Sequence, residues 1–567
     1  MSLFALPSRP TVPFNGVSGA QIERLETTQG LQFSEESFQN QRIEFRWTAG
    51  SANMWYVPSR SYIRLRVQLE LVNGANISGD QFTTIGQIDQ SPSQLNKMYL
   101  ALLDDEKFNS YASIVLSVTA VRTAYVAYLT EENKASGTIA RAALILRRQA
   151  LVRAVKVAMA QTDLSPAPSG DLAAQYEGFA GWKDFLKYNC LPAIAPAHCA
   201  CAQMFSSLTL TYGGQVVSTI TSHVAQVDAF DKRTSFTSNA FARDGLANVN
   251  NFYAPDFVDR CAAVTSDYIE FLWQPPLSFF RFPHAIPSGD FRLNMTVDSK
   301  WKNNCIQAVG CKDDGEFLTR DDYKFSKMQM TMFNHFVQGP STERAAFVLD
   351  LDNIVCQAQQ SIGEGTLNRQ FDISPDTTAI ALAHTDMSPG PVHSNRSLFR
   401  FPRRKTFSAA TGGTVVTRPQ DDVLPYSLTD YQILFDGKQW PQQQGDPMTH
   451  WQAPAQKTTK LVQQYHETHS QTGLGYNSCG PETYQQFVDA GMFLYTTWPR
   501  ANSNATRVAL NESLYGLGAG LDNWQQNIPT DILIFTRFKR SYLVRIENGR
   551  VMRVETAQNT TDGTLTG

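Results

Sequence analysis

Four soft ligands fall within twelve residues: Cys190, His198, Cys199 and Cys201. Thiolate and imidazole are the usual donors of a tetrahedral zinc site, so this cluster is the first candidate for chemistry. Its spacing is poor, because structural zinc sites present two separated pairs and three of these four crowd at 198, 199 and 201. The alternative is a set of small buried thiols in an alanine-rich segment. A second candidate, His466-Glu467-Thr468-His469, is one residue short of HExxH, whose histidines share a helical face at i and i+4. The plainer reading is a polar helix surface.

Other constellations are weaker. Gly16-Val-Ser-Gly-Ala lacks the spacing of a nucleophile elbow and follows no strand. The acidic groups Asp104-Asp105-Glu106, Asp313-Asp314 and Asp321-Asp322 lack the alternating ligands of a calcium loop. There is no Walker A loop and no strand-linked GxGxxG. These observations predict a chain without catalytic residues, cofactor or metal, with Cys190, His198, Cys199 and Cys201 as the sole zinc candidates.

The elements that would carry such residues are mostly strands. Residues 61–71 alternate Ile63, Leu65, Val67, Leu69 and Leu71 against Arg64, Arg66, Gln68 and Glu70. Strict alternation is the mark of a strand with one buried and one wet face. Ser207–Tyr212 and Gln215–Ile220 flank Gly213-Gly214 as a hairpin, and further strands are expected at Tyr268–Trp273, Phe291–Val297 and Phe325–Phe333. Gly339-Pro340 then punctuates the chain. A second run follows at Ala346–Asp352, Phe371–Ile373, Thr378–Ala383, Tyr431–Phe435, Met492–Trp498, Asp531–Phe538 and Tyr542–Val554, the last turning on Asn548-Gly549.

Helix signals concentrate in Thr138–Gln161, which carries Arg141, Arg147, Arg148, Arg153 and Lys156 and no acid. A basic helix suits nucleic acid or an anionic membrane; the alternative is a solvated face over Leu144, Leu151 and Val155. Short helices are expected at Thr458–His469 and Pro481–Asp489.

Composition bounds the rest. The chain has 567 residues, 49 Lys+Arg against 52 Asp+Glu, and only 18% charged residues. Near-neutrality excludes a chain dominated by phosphate neutralisation. Scarce charge suits a protein that hides surface against neighbours. The start of the chain lacks the basic and apolar regions of a signal peptide, and Phe108–Leu129 carries Arg122 centrally, which argues against a span. Eight scattered cysteines suggest a reducing compartment rather than a disulfide framework, and make the six glycosylation sequons chance matches.

The expected architecture is all-β: two jelly-roll sandwiches in tandem with a helical insertion in the first. The expected divisions are an N-terminal arm 1–40, a first jelly roll 41–338 with its insertion at about 92–190, a second at 339–555 and a tail 556–567.

Three stretches carry a family resemblance. The first runs Ala195-Pro196 to Phe205, Leu208-Thr-Leu-Thr-Tyr-Gly-Gly-Gln-Val-Val and Gln226-Val-Asp-Ala-Phe-Asp-Lys-Arg-Thr. The second is Phe271-Leu-Trp-Gln-Pro-Pro-Leu-Ser-Phe-Phe with Ile286-Pro-Ser-Gly-Asp-Phe-Arg-Leu, and the third is Phe371-Asp-Ile-Ser-Pro-Asp-Thr with Asp531–Glu555. Their order resembles the double jelly-roll major capsid proteins of eukaryotic DNA viruses, closest to those of virophages and Polinton-like viruses. The resemblance spans most of 40–555; the Trp273-Gln-Pro-Pro-Leu segment and its Pro-Ser-Gly-Asp-Phe turn are its most specific part.

The resemblance implies a non-catalytic shell protein of the virion, assembled inside the host cell. It implies a homotrimeric, pseudo-hexameric capsomer tiling an icosahedral capsid beside penton and minor capsid proteins. No sequence-specific nucleic-acid binding is expected. Weak contact with genome or an inner membrane would run through basic segments, the helix 138–161 or the loop Asn395–Lys405. Two other readings are a tandem jelly-roll lectin or receptor-binding spike, and a zinc enzyme built on the cysteine cluster.

Overall fold

The computed structural model describes chiefly residues 21–71, 193–235, 269–309, 323–360, 365–385, 428–440, 494–497, 507–514 and 531–556, with short gaps inside them and isolated residues elsewhere. The first half supplies eight main strands: β1 (Gln21–Glu26), β2 (Arg42–Trp47), β3 (Tyr62–Leu71), β4 (Phe205–Tyr212), β5 (Gln215–Ile220), β6 (Ile269–Trp273), β7 (Phe291–Val297) and β8 (Tyr323–Gln338). They pair antiparallel into two sheets, ordered β1-β8-β3-β6 and β2-β7-β4-β5.

The second half repeats the plan with β9 (Arg344–Gln360), β10 (Gly365–Asp372), β11 (Thr377–Thr385), β12 (Leu428–Phe435), β13 (Lys438–Trp440), β14 (Leu494–Thr497), β15 (Arg507–Leu514) and β16 (Asp531–Glu547). Its sheets run β9-β16-β11-β14 and β10-β15-β12-β13, and a ninth strand, β17 (Arg550–Thr556), folds back on β16. Counted within each half, the strand orders are 1-8-3-6 and 2-7-4-5 both times. That is the order of an eight-stranded jelly roll, so the chain is two jelly rolls in tandem, as expected.

Alternation builds the first core. Ile63, Leu65 and Val67 of β3 are fully buried, as are Met328, Met330 and Met332 of β8 across the sheet. Facing them are Leu208 and Leu210 of β4 and Leu293 and Met295 of β7. At one end Phe291 stacks on Tyr212 at 4.6 Å and on Trp47 at 5.3 Å. In the second half, residues 532–536 of β16 are buried on both parities, so this strand is covered on both faces.

Some expectations change. Residues 21–26 were expected in an irregular arm, yet they form β1, paired with Thr331–Phe336. Its sequence QIERLE offers little apolar signal because the strand lies at a sheet edge with Gln21, Ile22, Arg24 and Glu26 exposed. The strands expected at 531–538 and 542–554 are one continuous strand, β16, plus β17. The turn between these two holds Asn548 in the left-handed region at φ 52°, as the Asn-Gly pair requires. The insertion at 92–190 lies almost wholly outside the described residues; Thr123, Ala143, Leu146, Arg147 and Arg153 are among the few described there, all helical.

Candidate functional site at the seam between the sandwiches

Among the described residues, buried polar chemistry is concentrated where the two sandwiches meet. Its centre is α1 (Val224–Ser235), which leaves β5 through His223, held at φ 56°. Nearly every residue of α1 is buried, including Asp228, Asp231, Lys232 and Arg233. A helix buried all round must sit between layers, and here it lies between the first sandwich and β9 and β16 of the second.

Its charges are compensated locally. Lys232 Nζ lies 2.9 Å from the Asp228 carboxylate one turn back, with neither side chain more than 5% exposed. Asp231, 2% exposed, pairs with Arg281 of the 3-10 turn after β6 and lies 4.0 Å from Arg537 of β16. Arg537 also donates to the Thr234 hydroxyl and stands over the Phe230 ring at 5.1 Å. Phe230 stacks on Phe535 at 4.5 Å, so aromatic and ionic contacts cross the seam side by side. Burial, then the neighbouring Arg537, push the Arg281 pKa down to about 9. One carboxylate thus serves guanidinium groups from both halves.

Hydrogen bonds finish the junction. Asn353 of β9 accepts from Ser218 at 3.1 Å and Ser278 at 2.7 Å, and Ser222 donates to the Cys356 carbonyl at 3.4 Å. Tyr542 donates to the Val217 carbonyl at 3.0 Å. The hairpin β16–β17 lies against the β4–β5 turn, where Gly213 has φ +55° and an added Cβ would sit 2.8 Å from Val554.

The sequence candidates fare unevenly. Cys190 and His198 lie outside the described residues. Cys199 and Cys201 are fully buried at the start of a helical turn, and burial, followed by the charge of Asp228, pushes both thiols well above their ordinary pKa. Among the described residues no group of three His, Cys, Asp or Glu is placed to hold a metal. His466 is exposed on a helical stretch, while Glu467 and His469 lie outside the described residues, as do the three acidic groups. Of the loop Asn395–Lys405 only Arg404 and Lys405 are described, in a two-residue strand against Gln526–Asn527. Among the described residues no helix is long and apolar enough to cross a membrane.

Trp273 ends β6, as the following prolines require, and is fully buried against Phe205 at 5.5 Å. Gln274 then caps the neighbouring turn, donating to the carbonyls of Ser59 and Ser61. Sequence singles out neither Arg281, Asn353 nor Arg537, and it marks Asp231 only as part of a resembling stretch, since nothing in Asp-Ala-Phe-Asp-Lys-Arg signals burial of the charges.

No protein-family model matches the chain, and no curated protein does. Among solved structures it is similar to the mavirus major capsid protein at 10% identity and TM-score 0.42, covering 97% of this chain and 92% of that one. The Faustovirus major capsid protein aligns at 9% identity and TM-score 0.44, covering 94% and 91%. A chain of the Sputnik virophage structure aligns at 10% identity and TM-score 0.43, covering 98% and 91%. The fold assignment rests on the strand orders above.

Proposed function

We propose that this chain is a major capsid protein with a structural rather than catalytic role, located in the virion. Three copies close into a pseudo-hexameric capsomer, and capsomers tile an icosahedral shell with penton and minor capsid proteins. The observation that carries this reading is the repetition of one complete jelly roll in each half of a single chain, joined by a buried seam. Three such chains around a closed threefold axis present six similar sandwiches, a hexagonal tile from one gene product. The sixfold is only approximate because the halves share strand order but not sequence. The first unit ends at 338 and the second begins at 339; the tail expected from 556 starts after Thr556, which still pairs with Tyr542 in β17.

The seam supports the same reading. A tile needs a fixed angle between its sandwiches, and a junction of buried ion pairs, stacked rings and hydrogen bonds holds one angle where a linker would not. The test is the molar mass of the purified protein by light scattering after size exclusion, followed by electron microscopy. A closed trimer of 63.2 kDa chains scatters as about 190 kDa and shows hexagonal outlines. A monomer at every concentration, without such outlines, would overturn the proposal.

A further inference from the structure

Several arginines stand where strand pairing alone would not put them. In the first sandwich Arg46 of β2 lies directly opposite Arg292 of β7, and the two share Asp290 at 3.0 Å and 2.9 Å. In the second, Arg545 of β16 lies opposite Arg553 of β17, and both turn to Glu555, at 3.8 Å and 2.5 Å. Nearer the hairpin turn, Glu547 is in register between Arg344 of β9 and Arg550 of β17. Like charges directly opposite each other destabilise a sheet. Six arginines stand against three carboxylates here, an excess of three cations. Farther from the turn come Glu44 opposite Asn294, Asp350 accepting from Ser541, and Asp352 opposite Lys539, and the excess ends there.

These sets meet at one end of the molecule. Gly213, in the β4–β5 turn, donates its N–H to the Asp290 carbonyl at 2.9 Å, and Val554 of β17 lies against it. A Cβ on Gly289, beside Asp290, would sit 3.2 Å from Val551. The side chains of Arg46, Arg292, Arg545 and Arg553 are 43–71% exposed, against 32% and 29% for Asp290 and Glu555. The outermost layer is therefore guanidinium.

Apolar groups stand among these cations. Val216 continues the row Arg46–Arg292–Thr211 across the sheet and is 42% exposed. Met552 is 63% exposed, where the β16–β17 register slips by one residue. A bulge of this kind re-aims a side chain. Single-stranded nucleic acid is held by cations together with open aromatic faces, and the exposed apolar groups here are aliphatic. Aliphatic side chains amid guanidinium groups suit the boundary between anionic headgroups and acyl chains.

We propose that this end of the molecule docks on an anionic lipid surface, its arginines on the headgroups and Met552 and Val216 at the acyl boundary. One chain carries the whole surface, so the proposal does not depend on the assembly reading.

The test is sedimentation of the full-length protein with vesicles of phosphatidylserine and phosphatidylcholine, against phosphatidylcholine alone. Wild type binds the mixed vesicles and leaves the neutral ones. The double variant R46Q/R553Q leaves Asp290 with Arg292 and Glu555 with Arg545, so the thermal melt holds. Its affinity falls roughly tenfold or more, at about fivefold for each cation near the surface. Met552→Gln, at an exposed bulge, lowers affinity roughly threefold with the melt unchanged, and alone decides if the double variant melts early. Absence of binding to mixed vesicles, or equal binding by wild type and both variants, overturns the proposal. Release from the vesicles by inorganic phosphate at constant ionic strength assigns the arginines to a free anion and also overturns it. Tighter binding to double-stranded DNA, lost in R46Q/R553Q and kept in Met552→Gln, overturns it in favour of nucleic acid.

Discussion

Asp231→Asn is the most informative single change. The substitution keeps the side chain's size, so it opens no cavity and removes only the charge. In the native seam that charge faces Arg281, paired with it, and Arg537 at 4.0 Å. Without it, two guanidinium groups from different sandwiches remain partly buried beside each other, with Asp228 and Asp352 acting on Arg281 from farther off. Removing one partner of a buried pair costs roughly 3–5 kcal/mol. Arg281 and Arg537 retain 27% and 18% side-chain exposure, so water recovers part of this, and about 3 kcal/mol is expected. Urea unfolding of the full-length protein, followed by tryptophan fluorescence, measures it. Arg537→Met leaves Asp231 its Arg281 partner and should cost about 1–3 kcal/mol, since the distant pair, the hydrogen bond to Thr234 and the Phe230 contact go. The double variant should cost less than the sum, because the residues share one network. Asp231→Asn within about 0.5 kcal/mol of wild type would refute the claim that this carboxylate holds the seam.

Three further outcomes follow from single positions. Trp273→Ala should lose about 3–5 kcal/mol, since the fully buried indole stacks on Phe205, and an unchanged thermal melt would refute that burial. Gly213→Ala should cost about 1–3 kcal/mol, from positive φ and the clash with Val554, and adding Val554→Ala should recover part of it; a neutral single variant would show that the turn relaxes freely. Burial, then Arg60, lower the His335 pKa below its ordinary 6.5, so the unfolded chain takes the proton first on acidification. Its contribution is complete above pH 6.5 and is lost as pH falls toward the folded value; His335→Gln should flatten that slope, and an unaltered profile would refute it.

Legibility in the sequence followed the physics of each element. Strand β3 reads clearly because one face is core and the other wet, so its composition alternates at the period of its backbone. The Asn548-Gly549 turn reads clearly because the left-handed conformation restricts residue choice. Strand β1 does not, since an edge strand with little buried surface carries no apolar pattern. Strand β2 alternates Ile43, Phe45 and Trp47 against Arg42, Glu44 and Arg46, a weaker signal because it is short and follows a polar stretch. The polar seam is hidden for the opposite reason. Asp228, Asp231, Lys232 and Arg233 look like a solvated helix face, and only the second sandwich lying over them makes them interior. Cys199 and Cys201 are close in sequence and lie in one buried helical turn, a burial that their spacing does not signal.

The seam and the proposed assembly are mechanically linked. A contact that closes copies of one chain into a ring is head to tail, and it closes only if the rotation between copies matches the ring. That rotation includes the angle between sandwiches within one chain, which α1, Asn353 and the β16–β17 hairpin fix. Loosening the seam should therefore alter what forms as well as how stable it is. If the wild type assembles as the proposed closed trimer, Asp231→Asn protein kept below its melting temperature should give a spread of open and larger species at the same concentrations. Uniform trimers from Asp231→Asn protein whose melt is lowered would separate the seam from ring closure.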